Sequence, residues 1–247
     1  MRLTFADNSI FKDCISIISD LVSEGSFKFT KSGVEFIAMD PANVSMVILK
    51  LFPTCFKEYD LDKEIEINLD LNNLKQILKR AKMDDLLTLE VVSEDKLNIV
   101  LRSSILRSFT LPLLSSESPL PKIPNFNFSA SIAMPSELLE DAIEDAGIVA
   151  ESATFIADKD KLVILAEGET SKSKFEAGKD EAKVSLLKDG KVKAKYSIEY
   201  LKKMVVAAKL SSNAEIRFSQ DYPIKLEYKA LDKVYLSFIL APRADTD

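Results

Sequence analysis

Five carboxylates lie within nine residues of this sequence, Glu137, Glu140, Asp141, Glu144 and Asp145, and together they could hold a divalent metal for hydrolytic chemistry. Their spacing instead spreads them over the outer side of an amphipathic helix at 136–149, and a solvated helix face is the plainer reading. A second group is cationic: Lys75, Lys79, Arg80 and Lys82 fall within 71–82, a stretch with no acid, and Lys202, Lys203 and Lys209 fall in a similar stretch further on. Ammonium groups on long stems can meet phosphates without reading bases. Other chemistry is excluded by absences. The chain has no histidine, so no imidazole can serve as general base or metal ligand. It has no GxxxxGK, GxGxxG or GxSxG motif. Cys14 and Cys55 are its only cysteines, too few for a four-ligand zinc site, and Cys14 falls on an apolar helical stripe. No enzyme, no cofactor and no metal site is expected.

The cations need helices to position them. At 100° per residue over 71–82, Leu71, Leu74, Ile77, Leu78 and Ala81 cover one arc and must pack on a sheet. Lys75, Lys79 and Lys82 share an adjoining arc of about 60°, with Arg80 further round. In the later stretch Leu201, Met204, Val205 and Ala208 are apolar, Lys202 and Lys209 repeat the cationic arc, and Lys203 flanks it. A helix over 9–22 adds Lys12 on its polar side, accompanied by Asp13 and Asp20. The acidic helix at 136–149 repels phosphate and takes no part in the cationic surface.

These stretches correspond because the chain repeats. Residues 73–84 align without a gap to 200–211, so that Leu74, Lys75, Ala81 and Lys82 recur as Leu201, Lys202, Ala208 and Lys209. The helix at 9–22 precedes strand-like 27–36, and the helix at 136–149 precedes strand-like 155–164 at nearly the same offset. Between the copies, Pro119, Pro121 and Pro124 mark an extended linker. The expected organisation is a first domain at 1–117, a linker at 118–128 and a second domain at 129–247. Each copy reads as strand, helix, several strands, helix and more strands. The alternation and short turns (31–33, 93–96, 188–190) favour antiparallel sheets with helices on one face, an α+β fold.

Several segments, in this order and spacing, resemble sliding clamps of the proliferating cell nuclear antigen type, especially archaeal ones. They are Gly33-Val-Glu-Phe-Ile-Ala-Met-Asp-Pro-Ala-Asn-Val-Ser-Met46, residues 74–82, Ile123-Pro124, Met134-Pro-Ser136 and Leu240-Ala-Pro-Arg243. The resemblance covers nearly the whole chain. It implies a closed ring of three copies, with helices lining a hole that holds duplex DNA and sheets outside. The implied function is that of a DNA polymerase processivity factor in replication and repair.

The resemblance also implies sites. The DNA-facing cations are Lys12, Lys75, Lys79, Arg80, Lys82, Lys202, Lys203 and Lys209. A partner-peptide pocket falls on Met39, Asn43, Val44, Met46, Leu120, Ile123, Pro124, Phe128, Pro223, Ile239, Leu240, Ala241 and Pro242. Its expected occupants are short hydrophobic motifs of DNA polymerase, flap endonuclease, DNA ligase and the clamp loader. Contacts between copies fall on two edge strands, with Leu106, Phe109 and Leu111 in one and Lys172, Lys174 and Phe175 in the other. Ile239 stands where eukaryotic relatives carry an aromatic residue, and 136–149 lacks basic residues that many relatives have there.

The net charge of −6 argues mildly against nucleic acid, but a local cationic stripe can act on an acidic body. No apolar run reaches the roughly 20 residues a membrane helix needs, and the N-terminal alternation lacks a signal-peptide layout. A cytoplasmic, nucleoid-associated archaeal protein is expected, or a nuclear one if eukaryotic. The alternative reading is one subunit of a heterotrimeric or checkpoint-type clamp.

Overall fold

A computed structural model describes residues 1–115, 121–187 and 190–244. The expected domain boundary at 117/118, Leu120 and most of the turn at 188–190 therefore lie outside the described residues. The chain forms two compact units. Unit 1 comprises Met1–Pro41, Val47–Lys122 and Ala230–Leu236, and unit 2 comprises Ala42–Met46, Ile123–Lys229 and Ser237–Asp247.

The elements of the first copy are β1 (Arg2–Phe5), α1 (Asn8–Ile18), β2 (Glu24–Thr30), β3 (Gly33–Met39), β4 (Ser45–Leu51), β5 (Phe56–Asp60), β6 (Ile65–Asp70), α2 (Leu71–Leu78), β7 (Leu86–Ser93), β8 (Lys96–Arg102) and β9 (Leu106–Pro112). The second copy repeats that order as β10 (Ala130–Pro135), α3 (Ser136–Val149), β11 (Ser152–Asp158), β12 (Lys161–Glu167), β13 (Lys172–Ala177), β14 (Lys183–Leu186), β15 (Val192–Ser197), α4 (Ile198–Val205), β16 (Asn213–Phe218), β17 (Ile224–Ala230) and β18 (Val234–Leu240). Strand neighbours repeat as well. The runs β5-β1-β7-β8-β9 and β4-β3-β2-β6 of the first copy recur as β14-β10-β16-β17-β18 and β13-β12-β11-β15 in the second. The registered strand pairs are antiparallel, among them β8 with β9 and β12 with β13. The duplication and the α+β class are thus present element by element.

Each unit has its own aromatic core, built from inward positions of alternating strands. In unit 1 Phe5 stacks on Phe11 of α1 at 4.6 Å, and Phe27 of β2 packs on Phe36 of β3 at 4.8 Å. In unit 2 Phe155 meets Tyr196 and Phe218 edge-on at 5.6 and 6.1 Å. Both cysteines are buried, and neither is in a disulfide. Cys55 donates its thiol to the Lys233 carbonyl at 3.0 Å, and burial pushes that thiol up to about 11, which leaves it unreactive.

Helix ends differ from the periodicity reading. The expected helix at 9–22 is α-helical only to Ile18, and α2 stops at Leu78 where the pattern of lysines ran to 82. Beyond α2 the backbone tightens, with Arg80 N donating to Ile77 O and Ala81 N to Leu78 O. The cause is tertiary. The carbonyls of 80–82 are bonded by side chains: Arg80 O by Arg107 Nη1 (2.9 Å), Ala81 O by Lys12 Nζ (3.1 Å) and Lys82 O by Asn8 Nδ2 (2.8 Å). In the second copy α4 passes into a 3-10 turn at Val206–Leu210. Three residues per turn then bury Ala207, while Ala208, expected on the apolar arc, is only half-buried.

Asp85 locks this arrangement. Its carboxylate accepts from Lys82 N at 2.6 Å and pairs with Arg107, and its side chain is fully buried. Burial alone would raise its pKa, but the hydrogen bonds from Lys82, Arg107 and Ser103 outweigh that and hold it below the usual carboxylate value. A lowered folded pKa contributes stability that is present above the unfolded carboxylate range and is lost as pH falls through the folded value. Asp85→Ala is expected to cost unit 1 about 2 kcal/mol at neutral pH and to flatten the acid limb of the stability curve. Denaturant melts between neutral and acid pH read both effects. Parallel curves for the two proteins would exclude this role.

Candidate nucleic-acid, partner and assembly surfaces

The candidate DNA-facing cations fall into two kinds. Lys75 on α2 donates to Asp20 Oδ1 at 2.6 Å and to Ser16 O at 3.2 Å, the one just beyond the end of α1 and the other in its last turn, and its side chain is 18% exposed. Lys202, its counterpart in the repeat, reaches Glu144 Oε2 on α3 at 2.8 Å. Gly147 leaves room for that crossing: a Cβ there would lie 2.3 Å from Lys202 Cε, and the lysine tip would have to shift. Lys12 is held by Ala81 O. These lysines tie one helix to the other within their unit. By contrast, Lys79, Arg80 and Lys82 are exposed, and their side chains have no hydrogen-bond or ion-pair partner among the described residues. Lys203 pairs with Glu199 at 3.1 Å and sits 5.5 Å from the Tyr200 ring centre, both on α4. Lys209 is exposed and attracts Glu140.

The acids of α3 crowd one another. Burial, followed by repulsion from Asp141, Glu144 and Glu137, raises the Glu140 pKa, and Lys209 opposes the rise. Among the described residues no group of three or more acidic, cysteine or histidine side chains could hold a metal ion.

The candidate peptide-pocket residues separate by depth. In unit 2, Val44, Leu240, Ala241 and Pro242 line a cleft of about 560 Å³ that extends past Gly147 and Lys202 to Ser197 and Tyr200. Ala241 N donates to Val44 O at 2.9 Å, which fixes that wall. Met46, Ile239 and Leu240 are 6%, 6% and 2% exposed, whereas Val44, Ala241 and Pro242 are half-buried. Asn43 is exposed with φ +57°, a left-handed turn position that asparagine tolerates. Ile123 and Pro124 are exposed, and Phe128 and Pro223 are half-buried. Met39 ends β3 in unit 1, half-buried. Sequence reasoning missed Phe126 and Tyr222, whose rings lie 5.7 and 6.1 Å from Phe128. The Phe-x-Phe spacing in an otherwise polar stretch was the available signal for Phe126.

The two candidate assembly strands are edge strands. β9 and β13 each end a run of strands and leave one side without a partner strand among the described residues. Their exposure alternates in step. Leu106 is 55% exposed, Phe109 and Phe175 are half-buried, and Leu111 turns inward. Lys172 pairs with Glu167 at 2.8 Å, and Lys174 with Glu176 at 2.6 Å. Hydrogen bonds from Lys161 and Lys174 pull the Glu176 pKa down to about 2.

An α+β unit repeated element by element, with edge strands that lack a partner strand among the described residues, is the construction of a clamp-type scaffold. Residues 1–110 match the family model described as "Proliferating cell nuclear antigen, N-terminal domain", and residues 122–243 match the corresponding C-terminal domain. The chain belongs to the proliferating cell nuclear antigen family. Among its relatives, the DNA polymerase sliding clamp of Nanoarchaeum equitans is 40% identical over 99% of this chain and 100% of its own length. That of Thermococcus gammatolerans is 34% identical over 99% and 98%. The crystal structure of PCNA from Thermococcus kodakaraensis superposes with a TM-score of 0.91 at 27% identity, covering 98% of this chain and 99% of that one.

Proposed function

We propose that this chain is a DNA polymerase sliding clamp: it binds no substrate for chemistry, closes with copies of itself into a ring around duplex DNA, and tethers replication and repair proteins there. The repeat carries this reading. The counterpart of β9 in the second copy is β18, and the counterpart of β13 in the first is β4. Inside unit 2 the residue leaving β18 bonds the residue entering β4, Ala241 N to Val44 O at 2.9 Å. Inside unit 1, Phe52 N, just after β4, bonds Lys233 O, just before β18, at 2.9 Å. Pairing β9 of one copy with β13 of the next repeats that join between chains and removes both free edges. Charge supports it: Arg80, whose carbonyl is bonded by Arg107 of β9, is an exposed cation, while exposed Asp141 and Asp145 lie on α3, which packs on β13. The acidic helix then serves assembly and stays away from DNA.

Lys79, Arg80, Lys82, Lys203 and Lys209 meet phosphates in this reading, and Lys12, Lys75 and Lys202 brace the helices that carry them. Loose, base-blind attraction suits sliding, because closure of the ring does the holding. The cleft around Val44 and Leu240–Pro242, with Ile123, Pro124, Phe128 and Pro223, takes the hydrophobic motifs of polymerase, flap endonuclease, ligase and clamp loader.

The purified chain alone is expected to run at three times its own mass by light scattering. Once loaded, it should stay on closed circular DNA and escape from linear ends. A stable monomer would favour a heterotrimeric clamp subunit, and equal retention on circles and linear duplex would refute encirclement.

A further inference from the structure

One sheet face differs in character between the two copies. In unit 2, α3 packs on β11, β12 and β13, over the side that buries Phe155, Ile164 and Ala166. The opposite face carries two cross-strand rows set by the register, each running from β15 to β13. One row is Lys195, Thr154, Leu165 and Lys174, and the other is Lys193, Ile156, Val163 and Glu176. Lysines therefore flank an aliphatic middle. Ile156 and Leu165 are half-buried. The acids of this face are each engaged by a lysine: Glu176 by Lys161 at 2.8 Å and Lys174 at 2.6 Å, Glu167 by Lys172 at 2.8 Å, and Asp158 by Lys191 at 3.3 Å. Lys193 and Lys195 also attract Glu167, and they exceed the acids at hand, so the face is cationic on a chain of net charge −6.

The fold itself does not ask for this face. In unit 1, β2, β3 and β6 are the counterparts of β11, β12 and β15. The matching row there is Glu66, Lys28 and Glu35, and its charges close on neighbours: Lys28 pairs with Glu64 at 3.6 Å and Glu35 with Lys50 at 2.8 Å. Counting along β6 and β15, Glu66 stands where unit 2 has Lys193, and Asn68 where it has Lys195. One scaffold carrying acid in the first copy and lysine in the second argues for a use confined to unit 2. Access is to the face and not to the edge. Along β15, Lys193 N donates to Gln220 Oε1 at 3.1 Å, Lys193 O accepts from Asp221 N at 3.1 Å, and Lys195 O accepts from Arg243 N at 2.7 Å. An added strand would find those backbone groups taken.

We propose that this face of unit 2 docks an acidic amphipathic helix of a partner protein, its aliphatic stripe on Ile156 and Leu165 and its carboxylates toward Lys193 and Lys195 on one side and Lys174 on the other. Neighbouring strands lie about 4.8 Å apart, so β15 and β13 stand roughly 14 Å apart. That separation accommodates a helix of about 10–12 Å diameter between the lysines. Nucleic acid fits less well, because the rows offer no aromatic ring for a base to stack on, and Glu167 and Glu176 stand among the lysines. None of the row residues lines the cleft at Val44 and Leu240–Pro242, so the surface is distinct from it.

The test uses the full-length chain and three fluorescent probes. The first is a stapled helical peptide of about five turns with a leucine stripe and glutamates elsewhere. The second has glutamine for every glutamate, and the third is a short single strand of DNA. Wild type should bind the glutamate peptide roughly tenfold tighter than the glutamine one. Lys193→Glu combined with Lys195→Glu should remove that preference, and the milder pair Lys193→Gln and Lys195→Gln should remove part of it. Ile156→Thr should weaken the glutamate peptide about threefold, and Glu66→Gln in unit 1 should change nothing. Melting temperature and mass in solution should hold in every variant. No binding of the glutamate peptide by wild type, or equal binding by the lysine variants, overturns the site. Loss with the lysine variants but none with Ile156→Thr means bare charge attraction and overturns the helix. Tighter binding of the DNA strand, released by the same lysine changes, would make the face a nucleic-acid surface instead. The clamp reading is judged separately, by retention on circular DNA.

Discussion

Leu106→Asp is expected to break the proposed ring into monomers at micromolar concentration. Leu106 and its neighbour Ile105 are 55% and 67% exposed at the start of β9, large apolar side chains on a strand edge with no partner strand among the described residues. Covering a leucine between copies contributes about 2 kcal/mol. A carboxylate in the same place would forfeit that and add an uncompensated desolvation cost of a few kcal/mol more. Each interface would weaken by well over a hundredfold, and every interface of a homo-oligomer carries the change. Sedimentation over a concentration series reads the result, with loss of retention on circular DNA as the functional counterpart. The monomer itself should melt normally, because so exposed a side chain adds little to its core. A variant that still sediments as a trimer would remove β9 from the interface.

The second large effect separates the lysines. Replacing Lys79, Arg80 and Lys82 together by alanine should lower the salt dependence of DNA retention, by about 0.9 in the log–log slope for each phosphate that is no longer neutralised. Lys75→Ala and Lys202→Ala should leave that slope nearly unchanged and lower the melting temperature instead. The reason is geometric: Lys75 is tied to Asp20 and Ser16, and Lys202 to Glu144, before any DNA arrives. If Lys75→Ala reduced the slope as much as the triple variant, the division between bracing and phosphate-facing cations would be wrong.

How much could be read without coordinates follows from the range of each interaction. The helix at 136–149 and the alternating strands are local patterns of apolar spacing, and α3 spans those residues. The duplication needed only a comparison of the chain with itself. The end of α2 was misjudged because the turn beyond it is bonded by side chains brought from far along the chain. Asn8 and Lys12 are 74 and 69 residues from the carbonyls they cap. Ala208 was misplaced because a 3-10 turn shifts the buried position by one residue, and nothing in Val206–Leu210 announces the change of pitch.

By itself, then, the sequence determined a doubled α+β unit, cationic helices in both copies, an acidic helix in one, and the lack of any histidine. Tertiary structure decided which charges are free to act. Lys75 finds Asp20 across 55 residues and Lys202 finds Glu144 across 58, so two of the most regular members of the cationic stripe are occupied within their own units. Periodicity reports which face of a helix a side chain occupies. What that side chain touches depends on the neighbouring element, and in this chain the partners come from distant segments that only the folded sheets and helices bring within hydrogen-bond range.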